Sequence, residues 1–241
     1  MTPVDATQKT SAAFVDVSFI DLAAIGDDEW PRLAALLDEA ETARAARFAF
    51  EADRRAYVAA HALLRARLSD RATGIAPAEW RFGATSHGKP FLLSPPAGLD
   101  FSLSHTRGMA AVAIAQGYDI GVDVESFVKP RDALKVAKRF FAPEEAALVR
   151  SKSDPASQSE VFFAIWTLKE AVLKADGRGL ARGLDSFVVS LSPLAVSSES
   201  ERTYALAQWR RGGFFIAAAA RGGEANFRVE EARPSELTQV V

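Results

Sequence analysis

The stretch IGVDVES, residues 120–126, alternates branched apolar residues with glycine and acids. This period of two predicts a β-strand whose apolar side chains share one face and pack against a core. Asp123 and Glu125 then project side by side from the opposite face. Like charges held close on one face are unfavourable unless something neutralises them. The strand therefore supports two interpretations: a solvated strand face, or a cation held by two carboxylates.

A second group of polar residues lies in WTLKEAVLKADGRG, residues 166–179. Trp166, Glu170 and Lys174 are spaced four residues apart, so they form one stripe along a predicted helix. A Glu–Lys pair at this spacing is commonly an ordinary surface pair. Because a stripe that begins with tryptophan should face the protein, we expect Glu170 and Lys174 at a partly buried edge. There Glu170 would be a third metal ligand and Lys174 a phosphate contact.

A third group combines the turn SHGKP with the strand end SLSH. Gly88 lets the backbone approach a ligand closely, and Lys89 supplies a positive charge. Ser104 and His105 add hydrogen-bond donors. Each segment alone has a simpler interpretation, as a Gly-Pro turn with an exposed lysine and as a capped strand end. Together with a metal they contain the parts of a phosphate clamp.

The composition restricts the chemistry. The 241 residues carry a formal net charge of −2, which argues against broad binding to nucleic acid or membranes. The chain contains no cysteine, which excludes disulfides, thiolate nucleophiles and cysteine-bound metals, and only three well-separated histidines. A metal would therefore be held by carboxylates, which favours a hard ion such as magnesium. The N-terminus lacks a signal-peptide pattern, and no apolar run is longer than that of residues 214–220, which is too short to span a bilayer, so we expect a cytoplasmic protein.

The order of predicted elements indicates an α+β fold built from two similar halves, residues 1–117 and 118–241. A short repeat supports this, because GLDFSLS in the first half resembles GLDSFVVSLS in the second. The carboxylate strand then opens the second half, at a seam where ligand sites are common. We also expect one helix over DEWPRLAALLDEAE, a long helix over residues 159–175, and a frayed tail from Ala232 onward.

The segments HGKPFL, FSLSH, IGVDVE and WTLKEAVLKADGRGL, in this order and approximate spacing, resemble the 4′-phosphopantetheinyl transferases of the larger, surfactin-synthetase-activating (Sfp) type. The segments DRRAYVAAHALLR and RFFAPEE fit the same pattern, and the resemblance extends over residues 44–191. It implies that family's two-half fold with the active site at the seam. It also implies transfer of the phosphopantetheine arm of coenzyme A to a serine of an apo acyl or peptidyl carrier protein, with release of 3′,5′-ADP.

The resemblance further implies roles for individual residues. Asp123, Glu125 and Glu170 would bind magnesium or manganese, which bridges the pyrophosphate of coenzyme A, and Lys174 would contact that pyrophosphate. Asp123, Glu170 and Lys174 are thus the catalytic candidates. The serine's proton would go to Glu170 or to a metal-bound water, and the sequence does not choose between them. The expected coenzyme-binding residues are Ser86, His87, Gly88, Lys89, Ser104, His105 and Lys174, with Arg44 and Arg55 as candidates for the ribose 3′-phosphate.

A basic segment, KPRDALKVAKRFF, is the candidate surface for carrier docking. It contains one acid, Asp132, and five basic residues: Lys129, Arg131, Lys135, Lys138 and Arg139. The simplest interpretation is a solvated helix face. The functional hypothesis is a docking surface for an acidic carrier helix, with Phe140 or Phe141 as an apolar anchor.

Two other functions use the same residues. A magnesium-dependent hydrolase of nucleotides or pyrophosphates needs the carboxylates and the lysine but no carrier, and a non-catalytic scaffold would bind carriers without chemistry. The carrier could serve fatty acid, polyketide or nonribosomal peptide assembly, and the larger family type favours secondary metabolism. We expect a monomer, because one chain supplies both sides of the seam.

Overall fold

The computed structural model describes residues 14–72, 74–96, 98–128, 132–177, 183–198 and 202–239. Its first half contains β1 (Phe14–Asp21), α1 (Trp30–Ala34), α2 (Glu39–Ala45), α3 (Glu51–Arg71), β2 (Phe82–Ala84), β3 (Pro90–Leu92), β4 (Leu99–Thr106) and β5 (Met109–Gln116). The second half contains β6 (Asp119–Ser126), α4 (Ala133–Phe140), α5 (Pro143–Arg150), α6 (Pro155–Asp176), β7 (Val188–Leu191), β8 (Leu194–Ser197), β9 (Tyr204–Arg211) and β10 (Phe214–Arg221). β11 (Asn226–Glu231) and α7 (Pro234–Leu237) end the described chain. The predicted α+β class is confirmed.

The two main sheets share one connectivity. In the first, β1 pairs with β5 and β5 with β4; in the second, β6 pairs with β10 and β10 with β9, all antiparallel. Each half thus opens with a strand, passes through a long helix, α3 or α6, and closes with a hairpin. The predicted division at residues 117 and 118 falls between β5 and β6 and stays a prediction. One strand crosses it, because β11 pairs in parallel with β1.

The short sequence repeat does not mark equivalent elements. GLDFSLS forms the start of β4, whereas GLDSFVVSLS leads into β7, which pairs only with β8 among the described strands. By connectivity the counterpart of β4 is β9. The halves therefore share an order of strand pairing, which their residue identities do not reveal.

An apolar layer fills the space between the two main sheets. Ile120, Val122 and Val124 of β6 are buried there against residues of β1, β5 and β10, among them Val17 and Ala218. This confirms the predicted core face of the IGVDVES strand. Its other face, with the two acids, is directed toward α6.

Three local predictions need correction. The expected single helix near residues 28–41 divides into α1 and α2, because Asp38 caps α2 by accepting a 2.9 Å hydrogen bond from the backbone N–H of Glu41. α6 begins at Pro155, earlier than expected, because Asp154 accepts hydrogen bonds from the next helical N–H groups. The tail is not frayed up to residue 239, because α7 inserts the fully buried Leu237 into the core beneath α3.

Candidate active site

A close approach between β6 and α6 builds the centre of the site. A Cβ atom at Gly121 would lie 2.0 Å from the carbonyl oxygen of Ala171 and 2.6 Å from the amide nitrogen of Ala175. Only glycine fits between the strand and the helix backbone at this distance. The contact brings the end of α6, which carries Glu170 and Lys174, next to the acidic face of β6.

Asp123 is the most buried acid at this crossing, with only 5% of its surface exposed. Its Oδ1 accepts hydrogen bonds from Lys174 Nζ and from Ser104 Oγ, both at 2.8 Å. Its Oδ2 is buried and has no hydrogen-bond partner among the described residues. Leaving a buried carboxylate oxygen unsatisfied costs about 1–3 kcal/mol or more. The atom is therefore suited to a cation.

The other two predicted ligands lie nearby and are half-buried. Glu125 shares the strand face with Asp123, and Thr106 Oγ1 donates a long, 3.5 Å hydrogen bond to its Oε2. Burial and the charge of Asp123 raise the pKa of Glu170, while Lys174 opposes this. Among the described residues, no three acids or histidines are grouped closely enough to hold a metal ion together. Two features suit the site to magnesium: its donors are carboxylate oxygens, and Oδ2 of Asp123 has no hydrogen-bond partner among the described residues.

The predicted phosphate clamp borders the same crossing. Lys89 Nζ donates to Asp100 Oδ2 at 3.1 Å and to the carbonyl oxygen of Ile120 at 3.2 Å. Gly88 has φ +84°, so the turn before Lys89 needs glycine. The exposed Ser86 and His87 contact each other in that turn, with 3.2 Å between Oγ and Nδ1.

Two adjoining cavities open on this site. The smaller, about 230 Å³, is lined by Glu170, Lys174 and the His87–Pro90 turn. The larger, about 1020 Å³, continues from the turn toward α2 and α3 and is large enough for a nucleotide. Its polar and aromatic lining includes Arg44, Phe48, Tyr57, His61, Phe82, Ser104, His105 and Lys174.

The two arginine candidates lie in different places. Arg44 reaches the larger cavity, where its guanidinium lies 5.6 Å from the ring of Tyr57. Arg55 is not brought to either cavity: it pairs with Glu51 at 2.9 Å and lies over the ring of Trp30. The helix register of α3 turns its side chain to the other face of the helix.

His105 lines the larger cavity, and its side chain is exposed there. Desolvation, the neighbouring His61 and Lys174 lower the pKa of His105 to about 4. The imidazole is therefore neutral near pH 7, when it donates one hydrogen bond and does not add a charge.

A buried ion pair next to Glu170 escaped the sequence reasoning. Lys169 is fully buried, and its Nζ lies 2.8 Å from Glu145 of α5 and donates to the carbonyl oxygens of Leu184 and Phe187 at 2.7 and 2.5 Å. Burial lowers the pKa of Lys169 and raises that of Glu145. The pair fixes α6 against α5 and the chain before β7. Lys169 lies in the segment WTLKEAVLK and Glu145 in RFFAPEE, so the only hint of this pair in the sequence was that both segments fit the family pattern.

A second buried network supports the wall of the larger cavity. Arg65 is fully buried and binds Glu41 Oε2 at 2.6 Å and Asp38 Oδ2 at 2.5 Å. The other oxygen of Glu41 lies 2.7 Å from His61 Nδ1. Helical spacing alone gave no sign that α2 and α3 are joined by these charges.

The proposed docking segment is partly outside the described residues, which exclude Lys129 and Arg131. Lys135, Lys138 and Arg139 are exposed on α4. Phe141 is 4% exposed and stacks on Phe162, so it is not an anchor: the apolar core behind α4 holds it. Phe140, 39% exposed, is the remaining candidate.

Comparisons with known proteins identify the family. Residues 119–220 match the family model "4'-phosphopantetheinyl transferase superfamily", and residues 26–117 match "4'-phosphopantetheinyl transferase, N-terminal". The 4'-phosphopantetheinyl transferase HetI of Nostoc sp. is 40% identical over 163 residues, covering 67% of this chain and 68% of that protein. A 4'-phosphopantetheinyl transferase of Bacillus subtilis is 37% identical over 121 residues, covering 50% of this chain and 52% of that protein. The chain thus aligns with about half the length of the second relative.

Among solved structures, the holo-ACP-synthase of Plasmodium yoelii aligns with a TM-score of 0.37 at 18% identity, covering 45% of this chain and 100% of that chain. The holo-[acyl-carrier-protein] synthase of Thermotoga maritima gives 0.34 at 20% identity, covering 46% of this chain and 64% of that chain.

The chain belongs to the 4′-phosphopantetheinyl transferase superfamily. The predicted family and enzyme class are confirmed, and with them the class of reaction, transfer of the phosphopantetheine arm of coenzyme A to a carrier-protein serine.

Among the described helices, none combines the length and apolar character needed to cross a membrane.

Proposed function

We propose that this chain transfers the phosphopantetheine arm of coenzyme A with the help of a divalent cation, magnesium or manganese, held by Asp123, Glu125 and Glu170. The single observation that carries the proposal is the buried Oδ2 of Asp123, which has no hydrogen-bond partner among the described residues. Asp123 lies beside Lys174, which lines both cavities. When bound, the cation would neutralise phosphate charge that builds up in the reaction.

The cavity residues have complementary tasks. Lys89 and Lys174 line the smaller cavity and would bind the pyrophosphate, while Arg44 in the larger cavity would meet the ribose 3′-phosphate. The neutral His105 would donate a hydrogen bond to a phosphate oxygen. These contacts place the phosphorus and its leaving group in one orientation, and positioning supplies much of the catalysis in phosphoryl transfer.

The reaction breaks one bond and forms one. The carrier serine oxygen bonds to the phosphorus that carries the pantetheine arm, and the bond from that phosphorus to the departing 3′,5′-ADP breaks. The serine loses its proton. Glu170 is the proposed acceptor, because it lines the smaller cavity together with Lys174.

We further propose that the carrier docks on the exposed face of α4, through Lys135, Lys138 and Arg139, with Phe140 as the apolar contact. These side chains are exposed, and carrier helices of acidic character would complement them. Acyl and peptidyl carriers of secondary metabolism are the proposed partners. One chain supplies every residue of the site, which supports a monomer, and a cytoplasmic location stays a prediction.

The test is intact-mass spectrometry of apo carrier proteins incubated with the protein, coenzyme A and magnesium. We expect a carrier mass increase equal to one phosphopantetheine arm, lost with Asp123→Ala. Cleaved coenzyme A without carrier modification would instead favour the hydrolase. Intact coenzyme A with several unmodified carriers would favour the scaffold.

A further inference from the structure

The edges of the two main sheets face each other along β4 and β6. Both are edge strands, and among the described residues they share no backbone ladder. Alternate side chains of β4 bridge the gap instead. Asp100 Oδ2 and Ser102 Oγ accept hydrogen bonds from the backbone N–H groups of Ile120 and Val122, at 3.1 and 3.0 Å. Ser104 and Thr106 donate to the carboxylates of Asp123 and Glu125. We call these four side chains the seam ladder.

Two lysines satisfy the edge carbonyl groups in the same gap. Lys174 Nζ donates to the carbonyl oxygen of Val122 at 2.9 Å and approaches that of Leu103 at 3.5 Å. Lys89 Nζ donates to the carbonyl oxygen of Ile120 at 3.2 Å. Buried backbone carbonyl groups require such partners when a strand has no neighbour. The gap between the sheets therefore fixes where these two cations sit.

Asp100 differs from the other members of the seam ladder. Its Oδ2 receives both the ammonium of Lys89 and the N–H of Ile120, each at 3.1 Å. The side chains of Lys89 and Asp100 are 17% and 23% exposed, so solvent screens this pair only weakly. The carboxylate of Asp100 thus links the turn that carries Lys89, in the first half, to Ile120 at the start of β6, in the second half.

We propose that Asp100 is a positioning residue for coenzyme A binding, which acts by holding the Lys89 ammonium at the wall of the smaller cavity. This inference rests on the proposed function of Lys89 as a pyrophosphate contact. Lysine has a flexible stem, and a side chain that is already fixed loses less entropy when it binds phosphate. Asp100 supplies that fixation.

The sign of the effect separates positioning from simple electrostatics. Removing the negative charge of Asp100 makes the cavity more positive, so electrostatics alone predicts tighter binding of the anionic coenzyme. Positioning predicts weaker binding, because Lys89 regains its freedom and the N–H of Ile120 loses its acceptor. We expect the second result, since both partners of Asp100 are part of the seam.

The experiment is a calorimetric titration of the full chain with coenzyme A, using Lys89→Ala, Asp100→Ala, Asp100→Asn and the double variant Lys89→Ala/Asp100→Ala. We expect Asp100→Ala to raise the Kd about tenfold, as for lost hydrogen bonds to a charged group. The double variant should bind no more weakly than Lys89→Ala, because Asp100 acts through that lysine. Asp100→Asn keeps an acceptor and should recover part of the loss.

Ser102→Ala is the matched control, because Ser102 belongs to the same ladder but its hydrogen bond goes to the N–H of Val122. Its effect on the Kd should add to that of Lys89→Ala. A second readout needs no coenzyme: the acetylation rate of Lys89 in the free protein, followed by peptide mass spectrometry. That rate should rise in Asp100→Ala and stay near the wild-type value in Ser102→Ala.

The titrations and the acetylation rates together decide whether Asp100 positions Lys89. Unchanged or tighter coenzyme binding by Asp100→Ala, or additive loss in the double variant, overturns the positioning role. An unchanged acetylation rate of Lys89 also overturns it. Wild-type affinity in Lys89→Ala also overturns the positioning role and removes Lys89 from the proposed coenzyme site; a faster acetylation rate in Asp100→Ala would then show only that Asp100 orders Lys89.

Discussion

Replacing Gly121 with alanine tests how the active site is assembled. The added Cβ would lie 2.0 Å from the carbonyl oxygen of Ala171, whereas ordinary contact begins at 3.4 Å. The Cβ–O distance would thus be about 1.4 Å too short. Because the contacted atom belongs to the helix backbone and cannot rotate away, α6 must move away from β6. Overpacking of side chains costs about 1–3 kcal/mol, and a backbone clash should reach at least the upper end, about 3 kcal/mol.

Urea unfolding and thermal melts measure this change. For a chain of this size, about 3 kcal/mol corresponds to a fall in Tm of about 6–12 °C. Displacement of α6 should also separate Lys174 from Asp123 and lower kcat/KM for carrier modification. Gly83→Ala is the control for stability, because the three atoms nearest to its Cβ would belong to the ring of Phe91, which is 39% exposed and can swing into solvent.

Glycine-to-alanine changes at unstrained positions usually stabilise a protein by about 0.4–1 kcal/mol, because the unfolded chain loses freedom. A Gly121→Ala variant that is as stable as the wild type, or more stable, would show that α6 does not depend on this close approach.

Three further changes have defined outcomes. Lys169→Met should lower the free energy of unfolding measured in urea by about 3–5 kcal/mol, because it leaves the buried carboxylate of Glu145 without a partner. Adding Glu145→Gln should recover part of the loss. A Lys169→Met variant as stable as the wild type would show that the pair is dispensable. The pKa of His105, about 4 in the folded chain, lies below the value of about 6.5 for an unfolded histidine, so the unfolded state binds more protons between these values. Stability should therefore fall as the pH drops from 6.5 toward 4, less steeply in His105→Gln, and identical slopes would contradict the shift. Reversing Lys135 and Lys138 to glutamate should raise the KM for the carrier without changing the Kd for coenzyme A, and an unchanged KM would remove α4 as the docking surface.

The sequence predicts the parts of the site that depend on local periodicity. Alternation in the strand places Asp123 and Glu125 on one face, and helical spacing places Glu170 and Lys174 on one stripe. Gly88 and Lys89 lie in a turn with its own residue signature. These patterns are short-range, so they can be read without knowing which strands pair.

The remaining features depend on contacts between distant segments. Asp100 looks like an ordinary strand residue until β4 and β6 face each other, and the partner of Lys169 lies on another helix. Arg55 follows the same logic, because the face that α3 turns to the cavity is set by packing. The C-terminal strand also pairs with β1 across nearly the whole chain, which no local pattern indicates.

The measurement that tests the central claim most directly is the initial rate of carrier modification as magnesium is added back to protein treated with a chelator. Wild type and Asp123→Asn are compared; asparagine keeps the size of the side chain and removes the charge. We predict no transfer in chelator, recovery of the wild-type rate on addition of magnesium, and little or no recovery in Asp123→Asn. Full transfer in chelator, or the same magnesium dependence in both proteins, would contradict a cation held by Asp123.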